Sequence, residues 1–406
     1  MRIGGGKLSC ARIATTRMKL VSSSRLQVTV LAVVVFAFTA AVQAQTASTA
    51  APRDFNLVVL GDSILWGQGL KTEHKSWFLV KNWLEENQHV TVRERVQAHA
   101  GAVIGSAGAA PPRSLTVYGE VNSAWPTLHD QLDDAARAVG DTSQVDLVLI
   151  DGCINDVNAR SFLNAGNSGQ VIEALAREKC GAPVENLLAR VAITFPNAHI
   201  VLTGYYPVIS EKTSRDLFMR ALAKRFYAAS SPEARRPSDK EMFDRLTVIS
   251  KTWYEASNGA LTAAVAKANE QLVARASRQR VTFARIAVQP EYAFAAGDSR
   301  LWGFDATMIR KMLALFTFGR VSLHANDEVS GRRWSMCEDF FRKHPDETDA
   351  QKSARKNSLM VCGLAAIAHP NRKGAMMYAD AIKEQVQSLI ATTGWLRNPV
   401  TTDTAQ

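Results

Sequence analysis

Five strand-length segments, interspersed with helical patterns, constrain this chain more than anything else in it. The first, Phe55–Leu60 (FNLVVL), is continuous and stops at Gly61. A run of strand length without polar alternation reads as a strand buried on both faces, as in a covered parallel sheet. Val90–Val96, Asp146–Ile150 (DLVLI), His199–Thr203 (HIVLT) and Val281–Ile286 supply four more expected strands. Helices are expected at Ser76–Glu86, where Trp77, Val80, Trp83 and Leu84 share a face, at Glu185–Thr194, at Ala260–Arg275, and from about Lys373 to Thr392. Strand alternating with helix implies a parallel sheet covered on both sides. Ligands of such sheets lie beyond the carboxyl ends of the strands. Two stretches break the alternation, at about 207–257 and 289–365, and read as insertions. Their aromatics (Phe218, Phe226, Tyr227, Phe243, Trp253, Tyr254, Tyr292, Phe294, Trp302 and Phe304) read as packing under long loops in preference to a lid or an acyl pocket.

The chain has 406 residues, 47% of them hydrophobic, which suffices for one large or two modest cores. A net charge of +10 invites a nucleic-acid reading. Residues 1–44, however, hold six basic residues (Arg2, Lys7, Arg12, Arg17, Lys19, Arg25) and no acidic one. Without them 42 basic residues face 38 acidic ones, a net of +4, and no nucleic-acid partner is expected.

That basic segment precedes the apolar run Val28–Val42 and the small residues around Val42-Gln43-Ala44, the pattern of a secretory signal. The run is 15 residues, short of the ~20 that span a bilayer. Met18 is an alternative start. A secreted or periplasmic protein is expected, touching a membrane only through this segment if it is not cleaved. Outside it stand Cys153, Cys180, Cys337 and Cys362. An even number in an exported chain permits two disulfides in three connectivities. Local pairing, Cys153 with Cys180 and Cys337 with Cys362, is one expectation, and buried free thiols are the other. No C-x-x-C and no H-E-x-x-H occurs, so no metal site is expected.

The chemistry-bearing residues begin at Gly61-Asp62-Ser63-Ile64-Leu65-Trp66-Gly67, directly after the first strand. A serine on such a strand-to-helix turn is exposed at the sheet's carboxyl end and needs a base within hydrogen-bond reach to become a nucleophile. Read alone, the motif serves equally as a turn and N-cap. No G-x-S-x-G occurs, which argues against the α/β-hydrolase elbow.

Taken together, four blocks in order resemble the GDSL, or SGNH, family of serine esterases and lipases. Gly61–Gly67 is similar to its first block, with Ser63 at the nucleophile. Ala98-His99-Ala100-Gly101-Ala102 is similar to the second, with Gly101 at the glycine whose N–H donates to the oxyanion. Asp151-Gly152-Cys153-Ile154-Asn155-Asp156 is similar to the third, with Asn155 at the asparagine that is the other side of the oxyanion hole. His369-Pro370-Asn371 is similar to the last, with His369 at the base. The resemblance implies a three-layer α/β/α sandwich around a five-stranded parallel sheet, of flavodoxin-like SGNH type. It implies ester hydrolysis through an acyl-Ser63 intermediate, with Ser63, Gly101 and Asn155 around the oxyanion, no cofactor, and a small-molecule or lipid ester as substrate. The domains expected are a signal at 1–44, a linker at 45–54, the hydrolase domain at 55–395 with its two insertions, and a tail at 396–406.

Three departures from the family pattern stand out. Cys153 takes the place of the usual glycine two residues before Asn155, where it reads as a small buried filler in preference to a redox group. Ala366 takes the place of the aspartate that usually orients the histidine, so a backbone carbonyl, Asp327 or Asp339 remain open for that role. A second copy of the serine motif, Gly297-Asp298-Ser299-Arg300-Leu301-Trp302-Gly303, follows no buried strand, and Ser299 reads as coincidental or structural. His74, His89, His99, His129, His199, His324 and His344 read as structural histidines. Two other functions stay open: a carbohydrate deacetylase with the same mechanism, and a secreted non-catalytic binding protein on the same scaffold.

Overall fold

The computed structural model describes residues 51–105, 119–229, 235–304, 325–343 and 345–396, less the side chains of 217 and 218. The signal expected at 1–44 lies outside them, as do His324, His344 and most of the tail. The fold is that of the unit Arg53–Gln406.

Five parallel strands form one sheet in the order β2-β1-β3-β4-β5. They are β1 (Arg53–Leu60), β2 (Val90–Val96), β3 (Val145–Ile150), β4 (His199–Thr203) and β5 (Val281–Ala284). Helices cover both faces, giving a three-layer α/β/α sandwich. Alternation along β1 assigns its side chains. Phe55, Leu57 and Val59 pack with Trp77, Val80 and Leu84 of α2 (Ser76–Gln88) and with Ile382, Val386 and Leu389 of the terminal helix, α11 (Arg372–Thr393). Val58 and Leu60 face the other layer, which holds α3 (Leu128–Val139), α5 (Gly169–Cys180), α6 (Ala182–Thr194) and α8 (Asp239–Ala274). Leu57, Val58, Val59 and Leu60 are all fully buried. Two-sided burial is why β1 has no polar alternation, and truncating one of its large side chains would cost about 2–5 kcal/mol.

Strand order reverses at β1, because the chain steps to β2 on one side and returns to β3 on the other. This switch point opens a crevice outside the carboxyl ends of β1 and β3. The first serine motif begins there as a four-residue helix, α1 (Ser63–Trp66). The third block continues from β3 into another short one, α4 (Ile154–Val157).

Two expectations change. The helix expected at Ala260–Arg275 is the second half of α8, which starts at Asp239 with a capping box between Ser238 and Glu241. Mixed charge in its first turns (DKEMFDR) masked a helical face that buries Met242, Phe243, Leu246, Ile249 and Trp253, so residues 239–257 belong to a core helix. Trp253 stacks on Phe162 at 4.9 Å between ring centroids, and Phe243 and Phe294 are buried. These aromatics are packing. Within 289–365 the described residues form α9 (Ser330–Phe340) and α10 (Asp349–Gly363), with α7 (Leu217–Phe226) belonging to the earlier stretch. Both local disulfides are present, Cys153–Cys180 and Cys337–Cys362. Cys153 is therefore a cross-link and neither a filler nor a free thiol. Among the described residues no helix is long and apolar enough to cross a membrane.

Candidate active site

Ser63 stands at the head of α1, where Asp62 caps the helix by accepting the Ile64 N–H at 2.9 Å. The turn is anchored from below. Asp151, at the end of β3, accepts the N–H groups of Asp62 (2.7 Å) and Leu65 (2.9 Å). Gln131 of α3 receives the Gly61 N–H at 2.8 Å and donates back to the Gly61 carbonyl at 3.0 Å. Gly61 has φ +148°, and a Cβ there would sit 1.9 Å from Asp151 Oδ1, so only glycine fits.

Asp62 and Asp151 are buried together. Burial lifts Asp62 to about 6, and burial plus the neighbouring carboxylate lift Asp151 well above the ordinary range. Such a pair retains a proton where surface carboxyls have lost theirs. Tyr205 donates its hydroxyl to Asp62 Oδ2 at 2.9 Å and accepts the Ile154 N–H at 3.2 Å, joining the first block to the third.

His369, 306 residues away in sequence, places Nε2 2.8 Å from Ser63 Oγ. With its proton on Nδ1, the ring donates to the Ile367 carbonyl at 3.2 Å, which leaves Nε2 to accept from the serine. The orienting group is thus a backbone oxygen. Neither acidic alternative takes that place. Asp327 binds the buried guanidinium of Arg333, and Asp339 pairs with Arg342. Burial holds the pKa of His369 down to about 4, and the charge of Arg333 acts in the same direction. The imidazole is consequently neutral, and able to take a proton, across neutral pH.

The second block reaches the same crevice, since the His99 N–H donates to the Gly61 carbonyl at 3.2 Å. Gly101 has φ +82°, and a Cβ would fall 1.8 Å from Asn122 Oδ1. Asn155 donates one amide hydrogen to the Ala102 carbonyl at 2.9 Å, which ties the third block to the second. Two residues earlier Cys153 has φ +112°, a conformation glycine adopts freely and other residues rarely do. Cys153 thus holds a backbone shape suited to glycine, and the bond to Cys180 fastens the strained residue to α5.

A cavity of about 230 Å³ is lined by residues other than Ser63, Gly101, Asn155 and His369. Asn122, which touches Gly101, and Arg160, just past α4, form one wall. Phe341 and the α10 residues Asn357, Ser358, Val361 and Cys362 form the other. Among the described residues no cluster of His, Cys, Asp and Glu is arranged to hold a metal ion.

His89 is the left-handed residue that ends α2, and the other four described histidines have structural partners. His74 pairs with Glu328 at 2.8 Å. His99 contacts the Ala100 and Pro126 carbonyls, His129 contacts Arg190, and His199 accepts the Arg280 N–H. The sequence did not point to Tyr205, to the pairing of Asp62 with Asp151, or to the carbonyl of Ile367. The carboxylate pairing has a visible signal in retrospect, an acid in each of two neighbouring strand-end loops. A backbone carbonyl leaves none.

No protein-family model matches the chain, and no curated protein matches it in sequence. Solved structures similar to it include phospholipase A1 from Streptomyces albidoflavus NA297, at 15% identity and TM-score 0.37, covering 63% of this chain and 89% of that one. An extracellular lipase from Streptomyces rimosus has 15% identity and TM-score 0.36, over 61% of this chain and 88% of the lipase. A Clostridium thermocellum family 3 carbohydrate esterase has 12% identity and TM-score 0.31, over 61% and 86%.

Proposed function

We propose that the protein is a secreted serine ester hydrolase in which Ser63 is the nucleophile and His369 its general base. The observation that carries this is the 2.8 Å contact between His369 Nε2 and Ser63 Oγ at the sheet's switch point. His369 takes the serine proton as Oγ attacks the ester carbonyl. The tetrahedral oxyanion is held by the N–H groups of Ser63 and Gly101 and by the free amide hydrogen of Asn155. The imidazolium then protonates the leaving alcohol, leaving acyl-Ser63, and water activated by the same histidine releases the acid. The Ile367 carbonyl keeps the imidazole in the productive tautomer through both halves, so a Ser–His pair suffices without a carboxylate. The alanine at 366 therefore does not by itself favour a non-catalytic binding protein.

Two disulfides support passage through an oxidising compartment, in keeping with the secretory pattern of residues 1–44. A panel of p-nitrophenyl esters from acetyl to palmitoyl tests the proposal. Hydrolysis should be seen with at least one member and lost in His369→Ala. No hydrolysis of any member, or hydrolysis unchanged in His369→Ala, contradicts the proposal.

A further inference from the structure

The second copy of the serine motif occupies a definite place: it lies along the loop that carries His369. Leu301 and Pro370 form an antiparallel bridge. The Trp302 N–H donates to the His369 carbonyl at 2.7 Å, and the Ala368 N–H returns a bond to the Trp302 carbonyl at 2.9 Å. The Asn371 N–H reaches the Arg300 carbonyl at 2.8 Å. Gly374 lets the first turn of α11 approach, since a Cβ there would stand 2.4 Å from the Arg300 carbonyl oxygen.

One side chain works in both directions. Asn371 Oδ1 accepts the N–H groups of Lys373 (3.0 Å) and Gly374 (3.2 Å), capping α11. Its Nδ2 donates to the carbonyls of Ser299 (3.0 Å) and Leu301 (3.4 Å) in the second motif copy. The amide therefore fastens segment 299–301 to the residue pair that follows the base. Tyr206 completes the enclosure by donating its hydroxyl to the Ala368 carbonyl at 2.7 Å. Ala368 itself has φ +63°, which an alanine holds only under such constraint.

We propose that Asn371 is a positioning residue for His369: its Nδ2 clasps the second motif copy onto the histidine loop and so takes over the fixing role left open by alanine at 366. The proposal rests on His369 being the base. Where a carboxylate orients the ring from the side, here the backbone on either side of the ring is fixed, and with it the Ile367 carbonyl that accepts from Nδ1. A small displacement of a catalytic base costs rate far more than binding.

The two halves of the Asn371 amide can be separated. Serine and aspartate both cap helices well but have no N–H to donate, so Asn371→Ser and Asn371→Asp keep the cap and open the clasp. Asn371→Ala loses both. The expected result is a fall in kcat of about 10- to 100-fold in the serine and aspartate variants, with KM changed by less than about twofold. Their melting temperatures should stay close to the parent, while that of Asn371→Ala falls. Full kcat in Asn371→Ser and Asn371→Asp, with His369→Ala inactive, overturns the clasp and leaves the base in place. A loss of kcat confined to Asn371→Ala and tracking its melting temperature also overturns it, because a cap alone behaves so. Full activity in His369→Ala overturns the base and the positioning role together.

Discussion

The chain writes almost the same seven residues twice, and the two copies make different things of them. In Gly61–Gly67 the aspartate is buried, caps a helix and receives Tyr205, and the serine meets an imidazole. In Gly297–Gly303 the aspartate is solvated and pairs with Arg300 (2.8 Å) and Lys373 (3.0 Å). Its serine hydroxyl turns back on the Leu301 carbonyl at 3.2 Å. What differs is the chain on either side. The first copy follows a strand buried on both faces, so its turn emerges at the sheet's switch point. The second follows a 3₁₀ turn (Pro290–Tyr292) and bridges to Pro370. What brings Ser63 against an imidazole is therefore the strand before the motif and the histidine loop across from it, and the motif alone does not suffice.

The largest separation between the copies should come from their serines. Ser63→Ala should lower kcat by about 10⁴-fold or more, as removal of an activated nucleophile does. Ser299→Ala should stay within about threefold, because the carbonyl of Ser299 and not its hydroxyl meets Asn371. Steady-state rates on p-nitrophenyl acetate check both, and a larger loss in Ser299→Ala would reverse the assignment.

The aspartates should separate next, in stability. Asp62→Ala removes a helix cap and leaves the Tyr205 hydroxyl without its acceptor in the core, a loss of about 2–4 kcal/mol in chemical denaturation. Asp298→Ala should leave the denaturation midpoint unmoved, since its ion pairs are solvated.

The cross-link behind the first copy can be tested in the same way. Replacing Cys153 and Cys180 together by alanine frees a backbone held at φ +112° and should cost about 2–4 kcal/mol. A loss of rate should accompany it, as the Asn155 loop loosens. Unchanged kcat in the folded variant would show that the loop holds Asn155 without the disulfide.

The smallest effect concerns pH. As the proposed base, His369 acts in its neutral form, and its pKa is held down to about 4. Protonation inactivates it, so rate is lost as pH falls through about 4 and is level from there toward neutrality. An acid limb of kcat/KM near 6.5, the ordinary histidine value, would contradict the burial of the ring.

Much of the fold was legible because it depends on local pattern. Val90–Val96 and His199–Thr203 coincide with the observed strands, and the others differ only at their ends. The first half of α8 was hidden because charges on its exposed face outnumber the apolar residues it buries, and a 36-residue helix has no internal stop. Within the site, Ser63 and His369 were visible as residue types in order, and the structure brings them into contact. The orientation of His369 was not visible. It depends on a carbonyl, a left-handed alanine and a bridge to residues 300–302, and none of these has a side-chain signature.

The central claim is that the first copy alone is a nucleophile. Treating the mature protein, Ser63→Ala and Ser299→Ala with a fluorophosphonate and mapping the adduct by peptide mass spectrometry tests it directly. The predicted result is one adduct, on the peptide bearing Ser63, present in the parent and in Ser299→Ala and absent from Ser63→Ala. An adduct on Ser299, or no adduct in the folded parent, would contradict it.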